Sequence, residues 1–144
     1  MKTSLPRLAA LAAALGLAAC SSVGGMMGGS TEHLTLTGAN ETPAVETSAS
    51  GSGTVTVGPD RTVHADITVT GMQATMAHIH EAPTGKAGKV IIPLTEEGAN
   101  HFVSPPGAKL TEEQYEAYKA GNLYVNVHSA QHKAGEVRAQ LAAR

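Results

Sequence analysis

Residues Thr62–Thr70 read "TVHADITVT". Val63, Ala65, Ile67 and Val69 fall on one side of that run, and Thr62, His64, Asp66 and Thr68 on the other. A period of two is the pattern of a strand with one buried and one wet face. Just upstream, "GTVTV" (Gly53–Val57) repeats it, with Val55 and Val57 directed inward. The "GPDR" between them (Gly58–Arg61) has turn chemistry, because Pro fixes φ and Asp can bond its own backbone. The pair is predicted to be a β-hairpin.

The same period extends along the chain. In "EHLTLT" (Glu32–Thr37), Leu34 and Leu36 share one face, and His33 and Thr35 the other. "MAHIHE" (Met76–Glu81), "KVIIPL" (Lys89–Leu94), "LYVNVH" (Leu123–His128) and "GEVRAQL" (Gly135–Leu141) supply further strands. Strands at this spacing, punctuated by Gly and Pro, predict an all-β, antiparallel sandwich or small barrel. One segment departs from it. "LTEEQYEAYKAG" (Leu110–Gly121) offers Thr111 as N-cap, Gln114 three residues on, and Leu110 ahead of the cap to pack on Tyr115. Glu112 and Glu113 suit the positive end of a helix dipole, and Gly121 a helix end. A short helix is predicted near 112–120, with Tyr115 and Tyr118 packed on the sheet.

Not all of the 144 residues belong to this domain. Residues 1–19, "MKTSLPRLAALAAALGLAA", carry Lys2 and Arg7 ahead of an Ala/Leu run too short to span a membrane, which reads as a secretory signal. "LAAC" (Leu17–Cys20) resembles the bacterial lipobox, and that resemblance makes Cys20 the lipidated first residue of the mature protein. Ser21 stands where an inner-membrane retention signal has Asp. By analogy with Gram-negative lipoproteins, this favours the outer membrane, if the source has one. Residues 20–30 are Gly/Ser-rich and read as a tether, with Met26 and Met27 as linker residues. The domain is then 31–144. A single cysteine excludes an internal disulfide.

With Lys2 and Arg7 set aside, eight basic residues face 12 acidic ones, a formal charge of −4. That balance, with no Trp and one Phe, gives neither a basic patch nor a stacking platform, so nucleic acid is not an expected partner. No nucleophile elbow is present, and "PTGKAGK" (Pro83–Lys89) lacks phosphate-loop spacing. That stretch reads as a flexible connection over the histidines before it. Glu41 and Glu46 flank "TPAV" and read as polar groups on an exposed loop.

Three segments resemble the chordin-type (CHRD) domain family. They are "LTGANETPAV" (Leu36–Val45), "AHIHEAPTGKAGKVIIPL" (Ala77–Leu94) and "LYVNVHSAQHKAGEVRAQL" (Leu123–Leu141). The resemblance spans nearly all of 31–142. It implies an immunoglobulin-like β-sandwich or barrel and says little about activity. Glu81 and Ala139 stand where the family commonly has Gly.

Seven histidines carry the remaining chemistry. With Ala77 and Ile79 facing the core, Met76, His78 and His80 project from the other side of their strand. Leu123, Val125 and Val127 inward leave Tyr124, Asn126 and His128 outward. If the two strands are neighbours, His78, His80 and His128 form one outer patch, a donor set suited to copper or zinc. His132, in the next loop, is a tentative fourth ligand, and Met76 a weaker one. Glu136 and Arg138 could support the patch from the last strand. His33 and His64 read as solvated, and His101 cannot be placed. The arrangement also resembles the copper site of copper–zinc superoxide dismutase, though no bridging histidine or zinc loop follows. The leading expectation is a lipid-anchored envelope binding module with a transition-metal site, copper favoured and zinc the alternative. The other reading is a structural or adhesion domain that binds another envelope component without metal. An enzyme would need an acid or base that the sequence does not place.

Overall fold

The computed structural model describes residues 28–144. The predicted leader 1–19, Cys20, Met26, Met27 and nearly all of the predicted tether lie outside the described residues. Nine strands and one α-helix follow: β1 (Ser30–Thr37), β2 (Ser50–Val57), β3 (Val63–Thr70), β4 (Ala74–Glu81), β5 (Lys89–Pro93), β6 (Thr95–Gly98), β7 (His101–Val103), α1 (Glu112–Lys119), β8 (Leu123–Ser129) and β9 (Val137–Gln140).

The predicted hairpin is β2–β3. Its ladder runs from Val57↔Val63 to Ser50↔Thr70 without a slip. Gly58 N–H donates to Thr62 O at 2.9 Å to close the turn, and Asp60 Oδ1 accepts from the Thr62 hydroxyl at 2.6 Å. The alternation in β3 is complete: every second residue from Val63 is buried, and those between are exposed.

All strands belong to one antiparallel sheet, in the order β5-β4-β8-β9-β1-β2-β3-β7-β6. Its edge strands β5 and β6 are consecutive pieces of one run, 89–98, which pairs with β4 at one end and with β7 at the other. Leu94, between the two pieces, donates its N–H to Ala77 O at 2.9 Å. The sheet therefore curls into a near-barrel, which removes most of the open edge that a flat sheet would leave. Leu36, Ile67, Ile79, Phe102, Leu123, Val125, Val127 and Leu141 fill its interior at 0–1 % exposure. The helix forms with its predicted capping box, Gln114 N–H to Thr111 Oγ1 at 3.2 Å and Thr111 N–H to Gln114 Oε1 at 2.9 Å. Tyr118 is buried in the core and Tyr115 packs beside it, as predicted.

The outer faces of β4, β8 and β9 differ from the wet surface predicted for them. Every residue of β8 is buried, and Arg138 in β9 is 2 % exposed. The loops after β1 and β4 fold over this face and bond to it. Asn40 Nδ2 donates to Arg138 O at 3.2 Å, Arg138 Nη1 to Lys86 O at 2.8 Å, and Gln140 Nε2 to Ala82 O at 2.9 Å. The loop at 83–89, expected to be a flexible connection, is tied down by these polar side chains. Glu41, read as a group on an exposed loop, is buried beside Asn126. A strand's period identifies its two faces, but a loop that returns to cover the polar one leaves no mark on that period.

Candidate metal centre

Local strand geometry sets up the site. In β4, Ala77 and Ile79 are buried in the core, so Met76, His78 and His80 share the opposite face. β8 runs antiparallel beside it with Met76 opposite His128, His78 opposite Asn126 and His80 opposite Tyr124. His128 is thus the diagonal neighbour of His78. The imidazole centroids lie 4.9 Å apart for His78 and His128, 5.4 Å for His78 and His80, and 5.8 Å for His80 and His128. Each ring offers one nitrogen within 4.8 Å of those of the other two.

The far nitrogens fix the tautomers. His128 Nδ1 lies 3.0 Å from Lys133 O, and His80 Nδ1 lies 3.0 Å from Gly88 O. A carbonyl only accepts, so each Nδ1 carries the proton and each Nε2 presents a lone pair. His128 Nε2 receives His78 Nδ1, 3.0 Å away. His80 Nε2 is buried with no hydrogen-bond partner among the described residues. A backbone carbonyl on the remote nitrogen is the arrangement that orients a histidine for metal ligation.

Gly88 makes one of those carbonyls available. A Cβ on Gly88 would overlap Glu81 O, so only glycine lets this loop lie against β4. The Tyr124 hydroxyl accepts Gly88 N–H at 3.0 Å and steadies the same peptide. Tyr124 also stacks on His80, with centroids 4.8 Å apart and planes 9° apart. Arg138 lies on the other face of Tyr124, its Cζ 3.5 Å from the ring centroid. His80 is therefore positioned by a column of Arg138, Tyr124 and imidazole.

The electrostatics keep the site uncharged. Burial, and then the neighbouring His128 and His80, push His78 down to about 4. Burial also lowers His80 and His128, against the opposing pull of the Gly88 and Lys133 carbonyls. Three neutral imidazoles near neutral pH are the protonation state that a metal requires. Around an ion bound at 2.0–2.1 Å, tetrahedral ligand nitrogens stand about 3.3 Å apart. The 3.0 Å pair is already close to that spacing.

The structure brings together His78, His80 and His128, and does not bring His132 into the group. The His132 peptide belongs to the turn after β8, accepting Gly135 N–H at 3.0 Å and donating to Ser129 Oγ at 3.1 Å. Its cavity of about 250 Å³ is shared with Glu41, Pro43 and Val45. Met76 stays on the histidine side, 48 % exposed. His33 and His64 are exposed on wet faces. His101, unplaced by the sequence, lies in β7 with Nε2 3.1 Å from Asp66 Oδ1. Of the two supporting residues expected in the last strand, Arg138 reaches the site through Tyr124. Glu136 instead accepts the Thr47 hydroxyl at 2.7 Å.

A buried polar layer beside the histidines went unread in the sequence. Glu41 Oε1 and Asn126 Oδ1 are both buried without a hydrogen-bond partner among the described residues. Both face Gly135, where a Cβ would overlap the Asn126 amide and stand 2.6 Å from Glu41 Oε1. Burial, partly offset by Arg138, raises Glu41 to about 7. Its position inside "GANETPAV" was the available signal, since that segment is one of the three that carry the family resemblance.

No curated protein and no solved structure matches the chain. A family model described as the CHRD domain matches residues 33–141, from the first strand to the end of the last. That span takes in all three histidines and the loops that bury them, and the chain belongs to the CHRD-domain family.

Proposed function

We propose that this protein is a lipid-anchored cell-envelope binding module whose β4–β8 histidines hold one transition-metal ion, copper in preference to zinc. One observation carries the reading: His80 Nε2 is buried and unpartnered while its other nitrogen is held by a carbonyl. A buried lone pair with no donor is costly, of order 1–3 kcal/mol, and a metal ion is a group that can satisfy it. In the ligated form His78 moves its proton from Nδ1 to Nε2, so that Nδ1 joins the Nε2 atoms of His80 and His128. Imidazole nitrogens suit both copper and zinc, and the copper preference follows the higher intrinsic affinity of Cu(II) for such donors. The domain supplies three donors and leaves further positions to solvent or a partner, which fits handling or buffering of the ion. Cys20 would anchor the domain by acylation, at the outer membrane if the source has one.

Calorimetric titration of the full chain with Zn(II) and with Cu(II) tests the metal reading. The expected result is one ion per chain, with binding lost or weakened at least about a hundredfold in His80→Ala and His128→Ala. Equal affinity in the wild type and both variants overturns it. Cys20→Ser tests the anchor separately, with the expectation that the protein leaves the membrane fraction for the soluble one.

A further inference from the structure

Met76 is one of two large hydrophobic side chains that are well exposed among the described residues, the other being Val90. It lies two residues before His78 on the same face of β4 and directly opposite His128 in the ladder. Met76 and His128 together line a cavity of about 340 Å³, completed by Thr75, Ser129, Ala130 and Lys133. The cavity holds no carboxylate, and its one charged neighbour, Lys133, is a cation that repels metal ions rather than binding them. Besides the hydroxyls of Thr75 and Ser129, the side-chain donors at this open end of the histidine cluster are a thioether and an imidazole. His80 and His128 are buried while His78 is half-buried, so the cluster is approached from the Met76 side.

A thioether is a soft, neutral donor. It adds little to Zn(II) or Cu(II), which take water or a carboxylate as readily, but it binds Cu(I) well. We propose that Met76 is a fourth ligand that selects Cu(I), making the site a three-histidine, one-methionine centre for the reduced ion. The inference rests on the metal reading above and adds to it an oxidation state.

Competition of the full chain against a chromophoric Cu(I) chelator, under anaerobic conditions with ascorbate, tests the proposal. Zn(II) and Cu(II) titrations run in parallel. Met76→Leu keeps the size and apolar character of the side chain and removes the sulfur. It is expected to weaken Cu(I) by about tenfold or more while leaving Zn(II) and Cu(II) within about twofold. X-ray absorption of the Cu(I) form should show a sulfur neighbour that Met76→Leu abolishes. Met72→Leu and the double variant Met26→Leu/Met27→Leu should each retain it. Unchanged Cu(I) affinity in Met76→Leu overturns the inference, as does a sulfur neighbour that survives in Met76→Leu. In either case, if Zn(II) and Cu(II) still bind through the histidines, the metal reading stands without it. A wild-type chain that binds none of the three ions overturns both.

Discussion

His78 Nδ1 lies 3.0 Å from His128 Nε2, across the ladder that joins β4 to β8. Because Lys133 O takes the other His128 nitrogen, His78 Nδ1–H donates to His128 Nε2, and acid can charge His78 only at its remaining nitrogen. That charge is opposed by burial and by the two neighbouring imidazoles. His78 is held at about 4 against an ordinary 6.5. Between those values the unfolded chain binds a proton that the folded chain refuses, so stability rises with pH across the window and is lost on acidification. In the presence of a chelator, the wild-type urea midpoint is expected to fall from pH 7 to pH 4.5 more steeply than that of His78→Gln. Parallel profiles would contradict the assignment.

Glu41 imposes the opposite slope. It is raised to about 7 from an ordinary 4.5. From pH 4.5 to 7 the folded chain holds a proton that the unfolded chain has released, so stability declines as pH rises through that window. Glu41→Gln keeps the shape and removes the titration. Relative to the wild type, it should gain stability between pH 5 and pH 8, of order 2 kcal/mol. Denaturant unfolding at the two values checks this, and a pH-independent difference would contradict it.

Arg138 connects the last strand to the loop over the site. Its guanidinium donates to Lys86 O at 2.8 Å and to Gln140 Oε1 at 2.8 Å while covering Tyr124. Arg138→Met retains bulk without donors. The expected cost is about 1.5–3 kcal/mol, since three part-buried acceptors lose a charged donor. Amides of 82–88 should exchange with solvent faster, and metal affinity should fall because Gly88 O no longer holds His80 firmly. Unchanged exchange in that loop would show that Arg138 does not restrain it.

Gly88→Ala probes the same carbonyl from the other side. The added methyl overlaps Glu81 O, backbone that cannot rotate away. The loop must shift, and the 3.0 Å contact from His80 Nδ1 to Gly88 O with it. Nuclear magnetic resonance of the His80 ring nitrogens should show a mixture of tautomers in place of one Nδ1–H form. A single unchanged tautomer would mean that the carbonyl does not set it.

The barrel wall was legible because its strands alternate. Val63 to Val69 and Leu123 to Val127 declare an inward face residue by residue, and Thr111 with Gln114 declares the helix start. The convergence of His78, His80 and His128 followed from the same parity once β4 and β8 proved to be neighbours. Parity did not show that Asn126 and Arg138 would be as buried as the core. Their outward position is correct, but the cover comes from loops distant in sequence, Glu41 lying 85 residues from its partner Asn126. His132 shows the converse limit. It is close to His128 along the chain, yet the turn from Ser129 to Gly135 places its peptide in a hydrogen-bonded loop outside the cluster.

Three imidazoles are proposed to serve one ion. Electron paramagnetic resonance of the full chain with one equivalent of Cu(II) tests it most directly. Coupling to three nitrogens is expected in the wild type and in His132→Ala, and to fewer in each of His78→Ala, His80→Ala and His128→Ala. A wild-type spectrum without nitrogen coupling, or one that none of those three substitutions changes, would contradict it.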